Sequence, residues 1–322
     1  MRIDFVSKNP GYRSYAEQLA ERLGPAHRLR FVEPRALPLD AEAWVSAGNP
    51  AMPRELLARA STGFIQTLGT GYEHIDLAAA EALGIWVSNL RAGATGNADS
   101  VAELAILQML ALSRRFAEAQ QALREGRWAQ PTGAALLGKR ALIVGLGDVG
   151  AAIAVRLVAF GMDVVATRAH PERGAPAGVQ VLPHLALDAE LGLADFVVIA
   201  ARADASNAGM FDAARLGLMK RSAFLINVAR GSLVKSDALV EALRSGGIAG
   251  AGLDVFETEP LDPAHPLLSM PGVVLTPHVA GVTDVNFTRS LEVIATNLER
   301  FARGERPAHL LTHPQTPRVH LQ

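Results

Sequence analysis

The segment that most limits what this chain can become is RALIVGLGDVG, Arg140 to Gly150. A run of strand character ends in glycines spaced G-x-G-x-x-G, and DVGAAIAVRLVAF then continues as an apolar helix up to Gly161. A strand that stops on such a turn and restarts as a helix opens a parallel βαβ unit, and the turn lies where a phosphate would meet the helix N-terminus. Gly145 permits the tight turn, Gly147 leaves room for the backbone to approach a pyrophosphate, and Gly150 lets helix and strand pack closely. The same spacing also occurs as a connection that binds nothing, so its surroundings must decide. Here they favour a dinucleotide, with Asp148, Val149, Ala200, Val228 and Ala229 expected along it beside the glycines.

On both sides of this unit short β-rich runs alternate with helical stretches, as in an α/β fold whose parallel sheet is covered on both faces. Before it come RIDFV, RLRFV, AEAWVSA, GFIQTLG and IWVSN, with helices expected over 12–23, 53–60 and 78–83. After it come strands over 163–167, 180–182, 196–201, 223–227, 250–254 and 273–275, which with 140–144 make seven candidates for one doubly wound sheet. The stretch 97–125 lacks proline and glycine and is rich in strong helix formers, so it reads as one long helix able to bridge two lobes. A last helix is expected over 285–303, and the polar, proline-containing tail HPQTPRVHLQ reads as loosely held.

Composition narrows the function classes. Net charge is −1 with a pI near 6.8, so nucleic acid and anionic membranes are not expected partners. With no cysteine there is no disulfide, thiolate metal site or cysteine nucleophile, and no metal is expected. No apolar run approaches the roughly 20 residues that span a bilayer, and MRIDFVSKNP carries no export signal, so a cytoplasmic location is expected.

In a dinucleotide site the strand after the glycine turn should end on an Asp or Glu that binds the ribose 2′-hydroxyl. Asp163 stands at the wrong end of that strand, about 16 Å from its tip at the usual rise per residue. At the tip is Arg168, followed by His170 and Arg173, a group suited to a 2′-phosphate. NADP is therefore expected, and NAD remains possible, the lesser alternative being that Arg168 is a solvated loop residue.

Three further segments each follow a strand: INVARG (226–231), GLDVFETEP (252–260) and LTPHVAG (275–281). The C-terminal ends of strands in an open α/β sheet face one crevice, so Arg230, Asp254, Glu259 and His278 are expected to converge there. These side chains suit reduction of a 2-oxo acid. A guanidinium can grip the carboxylate and the adjacent carbonyl oxygen while negative charge grows on it. Imidazole can protonate that oxygen near neutral pH, and a carboxylate beside it would orient the ring and favour its charged form.

With these motifs in order, together with GTGYEHID (69–76), SVAELA (100–105) and MKRSAFLINVARGSLV (219–234), the chain resembles the D-isomer-specific 2-hydroxyacid dehydrogenases from about residue 63 to 307. The resemblance implies Arg230, Glu259 and His278 as catalytic residues and Asp254 as the holder of the nicotinamide amide, with Asn97 close to the nicotinamide ring. It implies the backbone of Thr70, Gly71 and Tyr72 as donors to the substrate carboxylate. It also implies two Rossmann-like domains, with a nucleotide domain (98–287) inserted into a split substrate domain (1–97 and 288–322). A homodimer formed largely through the nucleotide domain and closure on binding follow from the same likeness.

Departures from the family pattern bear on two regions. Where the family has H-x-P after the fourth strand of the nucleotide domain, this chain has Ala200 and Arg202, and the loop 89–97 is longer than usual. Arg168 in place of Asp resembles the NADP-using glyoxylate and hydroxypyruvate reductases. An NADPH-preferring reductase of small 2-oxo acids is the leading expectation. The alternatives are a nucleotide-sensing binding protein of the same fold, or a dehydrogenase for phosphite or a phosphorylated hydroxy acid, for which Arg91 could supply the extra cation.

Overall fold

A computed structural model describes residues 1–36 and 40–321. The chain forms two compact units, Met1–Gly96 with Asp284–Gln322, and Asn97–Thr283.

In the first unit β1 (Arg2–Val6), α1 (Arg13–Leu23), β2 (Arg28–Val32), β3 (Ala43–Ser46), α2 (Arg54–Arg59), β4 (Phe64–Thr67), α3 (Leu77–Ala82), β5 (Trp86–Ser88) and the short α4 (Ala92–Thr95) follow in order. The strands form a parallel sheet in the order β2-β1-β3-β4-β5. β1, β3, β4 and β5 are almost wholly buried, as expected of parallel strands covered on both faces.

The second unit begins with α5 (Asn97–Ser113) and α6 (Phe116–Arg124). The single long helix expected over 97–125 is thus two helices, and α5 packs against elements of its own unit. The break comes from tertiary packing, not from a helix-breaking residue. Gly133 lies against the backbone of Arg114, the Ala134 amide donates to the Ser113 carbonyl at 2.7 Å, and Arg115 turns left-handed at φ 49°.

Then come β6 (Arg140–Val144), α7 (Asp148–Ala159), β7 (Asp163–Arg168), β8 (Val179–Pro183), α8 (Leu187–Leu191), β9 (Phe196–Ile199), α9 (Ala213–Leu218), β10 (Phe224–Asn227), α10 (Ser236–Arg244), β11 (Gly250–Leu253) and β12 (Val273–Leu275). All seven expected strands enter one parallel sheet, in the order β12-β11-β10-β9-β6-β7-β8. Separate apolar cores line its two faces, one including Val144, Val165, Val197 and Leu225, the other Ile143, Ala166, Val198 and Ile226 together with α5 and α7.

The chain finishes in the first unit with α11 (Asp284–Ala302). The tail after it is fastened, contrary to its composition. Thr312 is fully buried, Trp86 Nε1 donates to the Val319 carbonyl at 2.9 Å, and Arg318 donates to the carbonyls of Leu57, Ala60, Thr62 and Leu83. Prolines remove donors, but the tail's remaining polar groups meet backbone acceptors beside β5 and α3. No helix of the described residues is long and apolar enough to cross a membrane.

Candidate active site

The glycine turn joins β6 to α7. Gly145 takes φ 97°, and a Cβ there would lie 2.5 Å from Ala201 Cα and 2.9 Å from the Ala200 carbonyl carbon, so the loop after β9 closes directly on the turn. A Cβ on Gly150 would meet the Gly145 carbonyl oxygen at 2.1 Å, which fixes close helix–strand packing. Gly147, the N-cap of α7, is different: nothing lies within 4 Å of a Cβ built there. The fold itself does not need glycine at 147, whereas a phosphate brought up to the helix N-terminus would. This cradle fits a dinucleotide diphosphate. Asp148 and Val149 form the first turn of α7, and Ala200 is pinned by its amide to the Val144 carbonyl at 2.9 Å.

β7 runs one residue further than expected and ends on Arg168, beside the turn, since the Gly145 amide donates to the Thr167 carbonyl at 2.9 Å. Arg168 Nη1 donates to the Gly174 carbonyl at 3.1 Å, closing the loop 168–174. Within that loop His170 Nδ1 lies 3.2 Å from Glu172 Oε1, and Arg173 is exposed. The three basic residues are therefore not equivalent: a carboxylate already faces His170, while Arg168 and Arg173 have no ion-pair partner among the described residues.

At the ends of β10, β11 and β12 the expected residues are built by short polar staples. Asn227, buried at the end of β10, accepts from the Ala229 amide at 3.1 Å and donates to the Arg230 carbonyl at 3.0 Å, shaping the turn that carries Val228, Ala229 and Arg230. Arg230 Nη1 donates to the Ala229 carbonyl at 2.8 Å. Gly231 allows this turn to touch the 256–257 backbone, since a Cβ would sit 1.9 Å from the Phe256 carbonyl. That contact sets Arg230 beside the segment bearing Glu259.

Glu259 Oε1 accepts from the Phe256 amide at 3.0 Å, and Oε2 meets His278 Nδ1 at 2.7 Å. Burial pushes the Glu259 carboxyl up. The hydrogen bonds from His278 and Phe256 and the charges of His278 and Arg230 more than offset this, so its pKa lies below the ordinary glutamate range. His278 itself adopts φ 55°, a left-handed conformation uncommon outside glycine. Its amide donates to the Asp254 carbonyl at 2.8 Å.

The Asp254 side chain is 1% exposed and both its oxygens are engaged. Oδ1 accepts from the Thr276 hydroxyl at 2.6 Å and the Val279 amide at 2.9 Å, and Oδ2 from the Ala280 amide at 2.9 Å. The visible work of Asp254 is thus to hold the 276–280 loop, a task that its motif alone did not reveal. Thr276 and Asn227 were also missed. Each is a small polar residue at or just past a strand end, next to a chemically obvious neighbour, and that position is the signal that could have found them.

In the first unit Thr70, Gly71 and Tyr72 form a half-buried loop after β4. The Thr70 carbonyl accepts from Asn89 Nδ2 at 2.8 Å, and the Tyr72 amide donates to Glu73 Oε2 at 2.9 Å. A carboxylate already occupies one of the amides expected to bind one. Arg91 is exposed at the start of α4; burial, and after it the charge of Arg91, lowers the pKa of His309. Asn97 is the first residue of α5. No cluster of three or more His, Asp or Glu suited to a metal ion occurs among the described residues.

The family model described as D-isomer specific 2-hydroxyacid dehydrogenase, NAD binding domain, matches residues 106–280. A glyoxylate reductase of Thermofilum pendens is 38% identical over 253 residues, covering 77% of this chain and 74% of that protein. Among solved structures, an NADPH-dependent glyoxylate/hydroxypyruvate reductase from Sinorhizobium meliloti, in complex with NADP and malonate, superposes with a TM-score of 0.81 at 32% identity, covering 100% of this chain and 98% of the other. An NAD-dependent formate dehydrogenase from Staphylococcus aureus, in complex with NAD, gives 0.79 at 27% identity over 94% and 96% of the two chains.

Proposed function

Because the chain belongs to the D-isomer specific 2-hydroxyacid dehydrogenase family, and is thereby an oxidoreductase with an NAD(P)-binding domain, we propose that it reduces glyoxylate or hydroxypyruvate with NADPH. The observation that carries this is the 2.7 Å contact between His278 Nδ1 and Glu259 Oε2. With Nδ1–H donated to an ionised Glu259, Nε2 is the ring nitrogen left to hand a proton to the substrate carbonyl oxygen. Arg230 grips the substrate carboxylate and that same oxygen, and its fixed charge favours the alkoxide that forms there. The amides of Thr70, Gly71 and Tyr72 are assigned to the carboxylate, Tyr72 by exchange of its bond to Glu73. A reduced nicotinamide, when bound, would supply the hydride to the carbonyl carbon; His278 gives the proton that completes the hydroxyl.

For the cofactor, Arg168 is the deciding residue. It ends β7 beside the glycine turn, has no carboxylate partner, and needs to release only one bond to a carbonyl to face a 2′-phosphate. We assign residues 98–287 to nucleotide binding and the two flanking segments to substrate binding. A homodimer would cover the exposed Phe116 and Leu123 of α6 and Trp128 just after it, and light scattering tests this. A cytoplasmic location is assigned with it and is checked by cell fractionation.

Initial rates with both reduced cofactors against a dozen 2-oxo acids test the reading. NADPH oxidation with glyoxylate or hydroxypyruvate is expected, at a kcat/KM at least tenfold above that with NADH. Equal or faster NADH oxidation removes the cofactor assignment. Nucleotide binding with no turnover across the panel supports a sensing protein instead. A phosphorylated substrate outrunning both would favour Arg91, exposed and without a carboxylate partner among the described residues, as a distal anion contact.

A further inference from the structure

We propose that Gln108 is a positioning residue for the loop that presents His278, acting from inside the apolar core through Thr276 and Asp254. This rests on the proton-donor role of His278 argued above.

The buried residues of α5 are almost all apolar or small, among them Val101, Ala105, Met109 and Leu112, and they pack onto α7 and the sheet. Gln108 sits on the same face and is fully buried. The fold makes room for it at a specific place: a Cβ on Gly252 would lie 2.8 Å from Gln108 Cβ and 2.9 Å from its Oε1, so only glycine fits at that point of β11. A long amide in this position carries a desolvation cost, and its Oε1 finds no hydrogen-bond partner. Its Nε2 does, donating to Thr276 Oγ1 at 3.2 Å.

That single bond has direction. With its oxygen accepting from Gln108, the Thr276 hydroxyl turns its own proton to Asp254 Oδ1 at 2.6 Å. Asp254 in turn accepts the Val279 and Ala280 amides, the two residues that follow His278, while its carbonyl takes the His278 amide. A left-handed histidine persists only where its surroundings over-determine it, and these bonds supply that constraint. Gln108 fixes the rotamer of Thr276 and keeps the carboxylate facing the loop. Without it the hydroxyl keeps only its bond to Asp254, the 276–280 turn is held less firmly, and Nε2 of His278 spends less time in line with the carbonyl oxygen.

The test is a pair of substitutions and their combination in the whole enzyme: Gln108→Leu, Thr276→Val and the double variant. Gln108→Leu is expected to lower kcat five- to tenfold while KM for NADPH and for the 2-oxo acid, and the nucleotide Kd, stay within twofold. The double variant is expected to be no slower than Thr276→Val alone, because both changes cut one chain of bonds. A kcat within twofold of wild type in Gln108→Leu, or losses that multiply in the double variant, overturn the proposal. If Gln108→Leu does not fold, Gln108→Met carries the same comparison. Full activity of His278→Ala would instead remove the proton-donor reading, so the two failures are distinguishable.

Discussion

His278 Nδ1 lies 2.7 Å from Glu259 Oε2, and the other oxygen of that carboxylate is held by the Phe256 amide at 3.0 Å. The carboxylate is thereby fixed from the backbone of its own segment before it meets the ring, so the imidazole is oriented by a group that cannot swing away. Removing the ring by His278→Ala should slow turnover by about 10²–10⁴-fold with nucleotide binding retained, measured by steady-state kinetics and fluorescence titration. Unchanged turnover would sink the assignment.

Glu259→Gln should cost less, about 10–10²-fold in kcat. The carboxyl is held below the ordinary glutamate range, so in the native enzyme it remains ionised beside His278 well into the acid region. A neutral amide keeps a partner for Nδ1 but brings no charge, so the ring is held less firmly and kcat should fall while the nucleotide Kd stays the same. A kcat within twofold of wild type means Glu259 does not serve the ring.

Arg168→Asp should raise KM for NADPH by tenfold or more and leave NADH unchanged or improved, because the new carboxylate repels a 2′-phosphate and accepts from a free 2′-hydroxyl. Equal effects on both cofactors would show that position 168 does not read the ribose.

Two glycines three residues apart should behave oppositely. At Gly150 an added methyl collides with the Gly145 carbonyl, so Gly150→Ala should lower Tm and nucleotide affinity together. At Gly147 the protein leaves open space, so Gly147→Ala should keep Tm within a degree or two while nucleotide Kd rises at least tenfold. Wild-type affinity in Gly147→Ala would place the diphosphate elsewhere.

His74 has its Nε2 2.7 Å from Ser46 Oγ, and its buried Nδ1 has no partner among the described residues. Burial lowers its pKa to about 4, against a smaller opposing pull from Glu73. Between pH 6.5 and 4 the unfolded chain therefore binds a proton that the folded chain refuses. Its contribution to stability is complete above pH 6.5 and lost as pH falls toward 4. His74→Asn should flatten Tm against pH in that window, and an unaltered slope would count against a neutral, buried ring.

Arg318→Ala should destabilise the protein by about 2–4 kcal/mol, since it strips the donors from four backbone carbonyls around α2, α3 and β4. Denaturant unfolding measures this directly, and a loss under about 0.5 kcal/mol would return the tail to the loosely held status its composition suggests.

What the chain's order of residues determined by itself was everything governed by local periodicity and turn chemistry. The seven strands of the larger sheet, the glycine turn at 145–150, and the placing of Arg230, Glu259 and His278 after strands all follow from alternation of apolar runs with glycine and polar breaks. What only the tertiary structure decided was every feature that depends on a partner distant in sequence. Gly133 ends α5 at a place with no breaker of its own, the tail is anchored on carbonyls more than two hundred residues away, and Asp254 serves the His278 loop. A hydrogen bond or a close contact needs two groups at one point in space, and local propensity along the chain specifies only one of them.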